Sequence, residues 1–366
     1  MPPTPTCTFT TNPTARAASR SFLQAGASLL QALSPTIVRS TVEGRAMRKY
    51  STSSIYQALD QADRQRLCLT VTPRDKVQRQ VYRLKDDGEV ISPWRGMFVF
   101  PDLWERLSPD EQTRRIVRTL AKRYPHWTFC QLTAAVMHGL ETSYADLHTL
   151  HVAVSDDCIT RSTANIVRHP LGNVETTMAD GVLVTSLERT ALDCLVELDF
   201  KRGLAIADSV LRVGHMSQDE LVDYICSKSD VVGWDRALRV ALQADARAAN
   251  GGESVARATM IELGFMLPDL QVAVPNVIEG GEPYYADFMW NLADGTRVAG
   301  ELDGLDKYVD PQMTRGKNVA QVMAEERRRE SRLGAANVRV VRFSYDEVLD
   351  AGKLERLLTA YGVPRA

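Results

Sequence analysis

The C-terminal third of this chain places carboxylates inside strand-forming text, and few folds accommodate that. The run Tyr284-Tyr285-Ala286-Asp287-Phe288-Met289-Trp290 is aromatic and bulky, as strands prefer, with one acid at its centre. A carboxylate among aromatics is costly to bury without a partner. Asp294-Gly295 marks a turn, and Thr296 to Asp303 reads as the next strand. Glu301 and Asp303 stand two residues apart on it and so share a side. Leu270 to Val274 precedes them as a strand, joined through the hairpin-like turn Glu279-Gly280-Gly281-Glu282. A helix beginning near Glu253, a long helix over about Met313 to Leu333 and a strand Val338 to Phe343 complete an α-β-β-β-α-β order. Asp287, Glu301 and Asp303 on one face repel each other, and a divalent cation relieves that. Hard oxygen ligands suit Mg²⁺ or Mn²⁺. Such an ion lowers the pKa of a bound water and stabilises in-line phosphodiester displacement. The alternative is an exposed strand face on which Glu301 and Asp303 pair with Arg297 or Lys307.

Several short motifs sit on this order: Glu253-Ser254-x-x-Arg257, Leu270-Gln271-Val272, Ala286-Asp287-Phe288 and Gly300-Glu301-Leu302-Asp303-Gly304. Lys307-Tyr308, Glu325-x-Arg327-Arg328 and Val340-Val341-Arg342-Phe343 follow. With them the segment resembles the very-short-patch-repair-like endonucleases of the PD-(D/E)xK superfamily. The resemblance implies a restriction-endonuclease-like fold over residues 251–366, with Asp287 and Glu301 as metal ligands. It implies Asp303 as a third acid, Glu253 as a further carboxylate and Lys307 as a source of positive charge. The superfamily places a lysine two residues after its acidic ligand, and here that position is Asp303.

Upstream, 366 residues are too many for one ordinary core, so a multidomain α/β chain is expected. A formal net charge of -2 leaves nucleic-acid binding to local basic faces. Residues 1–46 are rich in Thr, Ser, Ala and Pro. They read as an unstructured tail or a misassigned start ahead of Met47; a transit peptide shares the composition. Six scattered cysteines without a C-x-x-C pair read as reduced thiols of a cytoplasmic protein. No apolar run is long enough for a membrane span.

Residues 47–105 carry a short helix at Ser53 to Leu59 and a second from Pro73 to Lys85, with Val77, Val81 and Leu84 as one apolar stripe. Two short strands, Glu89 to Ser92 and Met97 to Phe100, flank the turn Pro93-Trp94-Arg95-Gly96. Helix, helix and β-hairpin is a winged helix-turn-helix pattern. With Arg95-Gly96-Met97-Phe98 in its wing, the stretch resembles the N-terminal domain of abortive-infection antitoxins. DNA is then the expected partner, met by Arg74, Lys76, Arg79, Arg83 and Arg95, which would neutralise phosphates. The alternative is a small winged domain used only in packing or protein contacts.

Residues 106–250 read as an α+β region. Strands are expected at Leu150 to Val154, Asn165 to His169 and Gly181 to Val184. A helix then opens with Thr185 and Glu188 at capping-box spacing. Val184 through Asp193, with Arg189-Thr190-x-x-Asp193, resembles a segment of the same antitoxin-like proteins. The histidines lack metal-binding spacing, and the region reads as scaffold or partner surface. Gly251-Gly252 reads as a hinge before the C-terminal domain. Two functions stay open: a DNA-binding, Mg²⁺-dependent endonuclease of phage defence or DNA repair, and a non-catalytic repressor or antitoxin with a cognate toxin.

Overall fold

The structure is a computed structural model, and it describes residues 54–72, 76–155, 162–278, 280–303 and 332–366. Arg74, Lys307 and most of the helix expected over Met313 to Leu333 lie outside the described residues. The chain is mixed α/β and divides into two compact units, residues 1–60 and 61–366. Of the first unit, residues 54–60 are described, and they open helix α1 (Ser54–Arg64).

The second unit begins with β1 (Leu69–Thr70), α2 (Lys76–Asp86), β2 (Ile91–Trp94) and β3 (Met97–Val99). The three strands form an antiparallel sheet in the order β1-β3-β2. Gly96, at φ 75°, makes the turn between β2 and β3 in a conformation that glycine adopts without steric cost. On α2 Val81 is buried, with Val77 and Leu84 half-buried, so the stripe at i, i+4, i+7 faces inward.

Helices α3 (Pro101–Trp104) and α4 (Pro109–Arg123) follow. Helix α4 holds buried arginines by local pairing: Arg115 meets Asp63 at 2.9 Å, and Arg118 meets Glu111 at 3.0 Å and also Asp180. A five-stranded sheet comprises β4 (Thr128–Phe129), β5 (Leu150–Val154), β6 (Ile166–Pro170), β7 (Thr176–Ala179) and β8 (Val182–Thr185). Helix α5 (Gln131–His138) lies between β4 and β5 in sequence. The strand order is β6-β5-β4-β8-β7, so the two-residue β4 is central. Cys68, Met97 and Val99 share one apolar core with Val117, Leu120, Phe129, Val152 and Val184. One face of the small N-terminal sheet thus joins the core of the middle sheet, while Val81, Val90 and Phe98 are buried outside that cluster.

Helix α6 (Leu187–Glu197) begins one residue later than its expected cap implies. Ser186 is the N-cap and accepts from the Arg189 N–H at 3.2 Å. Thr185 instead stays in the strand, its hydroxyl 2.7 Å from that of Thr190 and buried. Helices α7 (Phe200–Gly214), α8 (Gln218–Ser227) and α9 (Trp234–Ala241) pack with α6 around Leu192, Leu195, Leu204, Val210, Leu221 and Val240.

The glycine pair expected to act as a hinge forms the first turn of α10 (Gly251–Glu262), capped by Asn250. The glycines permit close approach. A Cβ on Gly252 would lie 3.0 Å from the Leu302 Cδ2, and one on Gly251 would lie 3.2 Å from the Glu141 Cβ. Helix α10 serves two cores at once: Ala258 joins the α6–α9 core, while Val255, Ala256 and Met260 join the next. Arg257, 5% exposed, donates to both oxygens of Asp208 on α7 at 2.7 and 2.9 Å and to the Gln243 carbonyl at 2.7 Å.

The C-terminal sheet comprises β9 (Asp269–Val274), β10 (Tyr284–Asn291), β11 (Arg297–Asp303) and β12 (Val338–Ser344), in the order β12-β11-β10-β9. Strands β9 to β11 form an antiparallel meander, and β12 runs parallel to β11. Helices α11 (Tyr345–Leu349) and α12 (Ala351–Ala360) close the chain; Val348, Leu354 and Leu358 join α10 over Phe288, Trp290, Val298, Leu302 and Phe343. The opposite face carries Val274, Ala286, Met289, Ala299, Leu333 and Val338.

Candidate functional site

Gln271 has φ 50°, a left-handed backbone that a non-glycine residue rarely takes. It interrupts the alternation of β9, so that Leu270 packs on the α10 side while Val272 and Val274 pack on the other. On β10 the same change falls at Asp287, between Ala286 and Phe288. The two residues stand opposite each other, between the pairs Ala286–Val272 and Phe288–Leu270.

This break brings three polar side chains together. The Gln271 Nε2 donates to the Glu253 Oε2 at 3.1 Å and reaches the Asp287 Oδ1 at 3.4 Å. The Asp287 Oδ2 accepts from the Leu302 N–H at 2.9 Å. Glu253, 4% exposed, also accepts from the Ala249 N–H at 2.8 Å and the Asn250 side-chain amide at 2.7 Å. Burial raises the Glu253 carboxyl above its ordinary value, and the charge of Asp287 adds to that, against the Ala249 N–H and the Gln271 amide. Neutralisation of one of two adjacent carboxylates is the physical expectation for such a pair.

The other expected ligands sit elsewhere. Val298 and Leu302 pack on the α10 side and Ala299 on the opposite face, so alternation sets Glu301 and Asp303 on that opposite face. Glu301 is 2% exposed, and Asp303 accepts from the Arg342 Nη1 of β12 at 3.1 Å. Glu253 thus lies on a different face from Glu301 and Asp303. Among the described residues no three His, Cys, Asp or Glu side chains gather closely enough to hold a metal ion. Both oxygens of Glu253 and of Asp287 accept protein N–H groups, and Asp303 is engaged by a cation. Among the described residues, therefore, Glu253, Asp287, Glu301 and Asp303 are not gathered into one donor set for the Mg²⁺ or Mn²⁺ that the endonuclease resemblance implies.

The expected DNA contacts are arranged more simply. Arg79 and Arg83 are exposed on α2, four residues apart and turned away from Val81. Arg95 is exposed in the β2–β3 turn, and Lys76 opens α2. Tyr82, also exposed, stands edge-on to Phe98 with ring centroids 5.4 Å apart.

In the middle region, Arg189-Thr190-x-x-Asp193 has a structural logic. The Arg189 Nε donates to the Asp193 Oδ1 at 2.8 Å across one helical turn, and Thr190 ties α6 to the end of β8. Burial raises the Asp193 carboxyl, and the Arg189 charge opposes that. Residues 128–242 match the AbiEi antitoxin C-terminal domain. That span runs from β4 through α9, and it bears out the antitoxin resemblance read from Val184 to Asp193. The wider chain is similar to two proteins of Mycobacterium tuberculosis, each described only as uncharacterized. Each is 27% identical over 235 residues, which cover 63% of this chain and 80% of the relative. No solved structure matches, and no comparison bears on the endonuclease resemblance of the C-terminal region. Among the described residues no helix is long and apolar enough to cross a membrane.

The sequence reading missed Gln271 as a site residue, Asn250 as a cap and Arg342 as the partner of Asp303. Gln271 had no signal, because nothing in its identity announces a positive φ. Asn250, three residues before a glutamate, carried a readable capping pattern.

Proposed function

We propose that the protein is a DNA-binding regulator of antitoxin type. The match of residues 128–242 to an antitoxin domain carries this reading. In it, residues 47–105 act as the DNA-reading segment expected of a winged helix, α2 enters the major groove, and Arg79, Arg83 and Arg95 meet phosphates beside Lys76 and Arg74. The antitoxin-like segment meets a cognate toxin, in a cytoplasmic setting. The C-terminal sheet keeps a nuclease-like strand order and serves as scaffold, with Glu253, Gln271 and Asp287 as an internal clamp.

A second reading, an endonuclease using Asp287, Glu301, Asp303, Lys307 and Glu253, is favoured by one observation. Helix α10 followed by β9, β10, β11 and then β12 keeps the strand sequence that the resemblance implies. The pairing of Asp303 with Arg342 weighs against it.

One experiment tests both. The full chain is incubated with supercoiled plasmid and Mg²⁺ or Mn²⁺, and its binding to its own promoter DNA is measured at several salt concentrations. The antitoxin reading expects no cutting and saturable binding that Arg79→Ala with Arg83→Ala weakens. The log–log salt slope should fall by roughly 0.9 for each phosphate contact removed. Metal-dependent cutting that is lost in Asp287→Ala and Glu301→Ala would replace it with the endonuclease reading.

A further inference from the structure

Solvent-facing sheet edges carry unpaired N–H and C=O groups, and proteins guard them with charge, proline, irregular backbone or brevity. Most edges described in this chain are guarded. Strand β1 is two residues long, and β2 contains Pro93. Strand β6 carries Arg168 and ends on Pro170, β9 carries Asp269 and the left-handed Gln271, and β12 carries Arg339 and Arg342. Strand β7, Thr176-Thr177-Met178-Ala179, is the exception among the described residues. It lies at the edge of the five-stranded sheet with no charge, proline or register shift. Thr176, Thr177 and Met178 are exposed, Met178 by 62%. The hairpin to β8 fixes which backbone groups are free. Asp180 and Gly181 both have positive φ, 50° and 73°, the two-residue turn of a tight hairpin, and Ala179 closes it against Val182. Hydrogen bonding to β8 then alternates. Ala179 and Thr177 face β8, as does Glu175, whose carbonyl accepts from the Ser186 N–H at 2.8 Å. The N–H and C=O groups of Thr176 and Met178 point away from the sheet.

We propose that β7 is a docking edge for a second copy of this chain, paired antiparallel across a twofold axis at Thr177. In that register Thr176 exchanges N–H···O bonds with the partner's Met178, and Met178 with the partner's Thr176, so every outward polar group of the strand is satisfied. Thr177 meets the partner's Thr177 as the close, non-hydrogen-bonded pair, and threonine opposite threonine favours strand pairing. Met178 gains cover from the partner's Thr176 on the same face. The ends of the strand suit a copy of itself. Just before β7, Glu175 is held by Lys228 at 2.9 Å and by the Tyr224 hydroxyl at 2.6 Å. Just after it, Asp180 is held by Arg118. The twofold sets Glu175 opposite the partner's Ala179, beside the partner's Asp180. Each acid arrives there with its own cation, so no bare charge is brought against another. An edge of four residues makes a small interface, which gives a weak, concentration-dependent dimer. The edge lies within the segment similar to the antitoxin domain, but the pairing does not depend on the function proposed for that segment.

The test uses the full chain. Sedimentation velocity at rising concentration is expected to show one copy passing to two. Thr177→Lys puts two ammonium groups face to face on the axis, and Met178→Pro removes an outward N–H that β8 does not use. Each should weaken association tenfold or more while leaving the melting temperature of the monomer nearly unchanged. A chain that stays monomeric at high micromolar concentration, or a dimer that both variants leave intact, overturns the proposal. Thr177→Cys keeps the test decisive where those variants misfold. Position 177 is exposed, and a non-hydrogen-bonded pair holds its Cα atoms about 4.5 Å apart, within disulfide reach. Under mild oxidation the residue-177 peptides of two copies are expected to be joined to each other, as read by mass spectrometry. Links through other cysteines alone overturn the site.

Discussion

At the residue scale, the most consequential side chain is Arg257. Its guanidinium is spent on Asp208, which is 0% exposed, and on a backbone carbonyl, so removing it strands a buried carboxylate. Burial already pushes Asp208 above the ordinary carboxylate range, and Arg257 opposes that push. Arg257→Met is therefore expected to cost about 3–5 kcal/mol in chemical denaturation, the usual loss when one member of a buried pair is deleted. Arg257→Met combined with Asp208→Leu should recover much of that, which separates lost charge pairing from lost volume. His151 makes a second residue-scale prediction. Burial, with the neighbouring His169, lowers it to about 4 from an ordinary 6.5. The folded state refuses a proton that the unfolded chain accepts, so the stability His151 contributes is present above about pH 6.5 and is lost toward pH 4. The melting temperature of the wild type should fall between these values more steeply than that of His151→Asn. Equal slopes would show that His151 does not titrate as described.

At the element scale, the legible parts were those where periodicity and burial agree. Strand β10 was readable from its aromatic, bulky run, and the strands around Val152 and Val184 from apolar residues at strand spacing. So was the inward stripe of α2. Strand β7, Thr176-Thr177-Met178-Ala179, was not, because it lies at a sheet edge with its first three residues exposed. Strand β4 is central but only two residues long, too short for any period to show. The acidic site was legible in its residues and not in its geometry. Alternation correctly grouped Glu301 with Asp303, but the φ of Gln271 and the partnership of Arg342 decide where the other acids go. The glycine pair shows the same limit: a sequence reads Gly-Gly as freedom, while the packing uses it as room. Gly252→Ala brings a methyl to 3.0 Å from both Leu302 and the Asn250 Oδ1. A loss of about 1–3 kcal/mol is expected from such overpacking, measured by denaturant midpoint. Unchanged stability would return the pair to a hinge role.

At the scale of the whole molecule, residues 61–366 contain regions that read as separate domains and yet share cores. The small N-terminal sheet packs into the core of the middle sheet, and α10 belongs to two cores. A chain ending at Ala249 loses Arg257 and the Ala258 face while keeping Asp208 buried. Such a chain is expected to lack a cooperative melt and its near-ultraviolet circular dichroism. A sharp transition near that of the full chain would show instead that the middle region stands alone. Partner binding to the antitoxin-like segment is, on this arrangement, best assayed with the C-terminal region attached.

The Asp208–Arg257 pair spans 49 residues of sequence, and that gap has a meaning in time. At roughly 5–20 residues per second, a ribosome needs about 2–10 s to make the partner that Asp208 awaits. Through that interval the nascent middle helices hold an acid destined for the interior with nothing to neutralise it. Closure of their core around Asp208 is therefore expected to wait until α10 emerges, so that the order of synthesis would set the order of assembly.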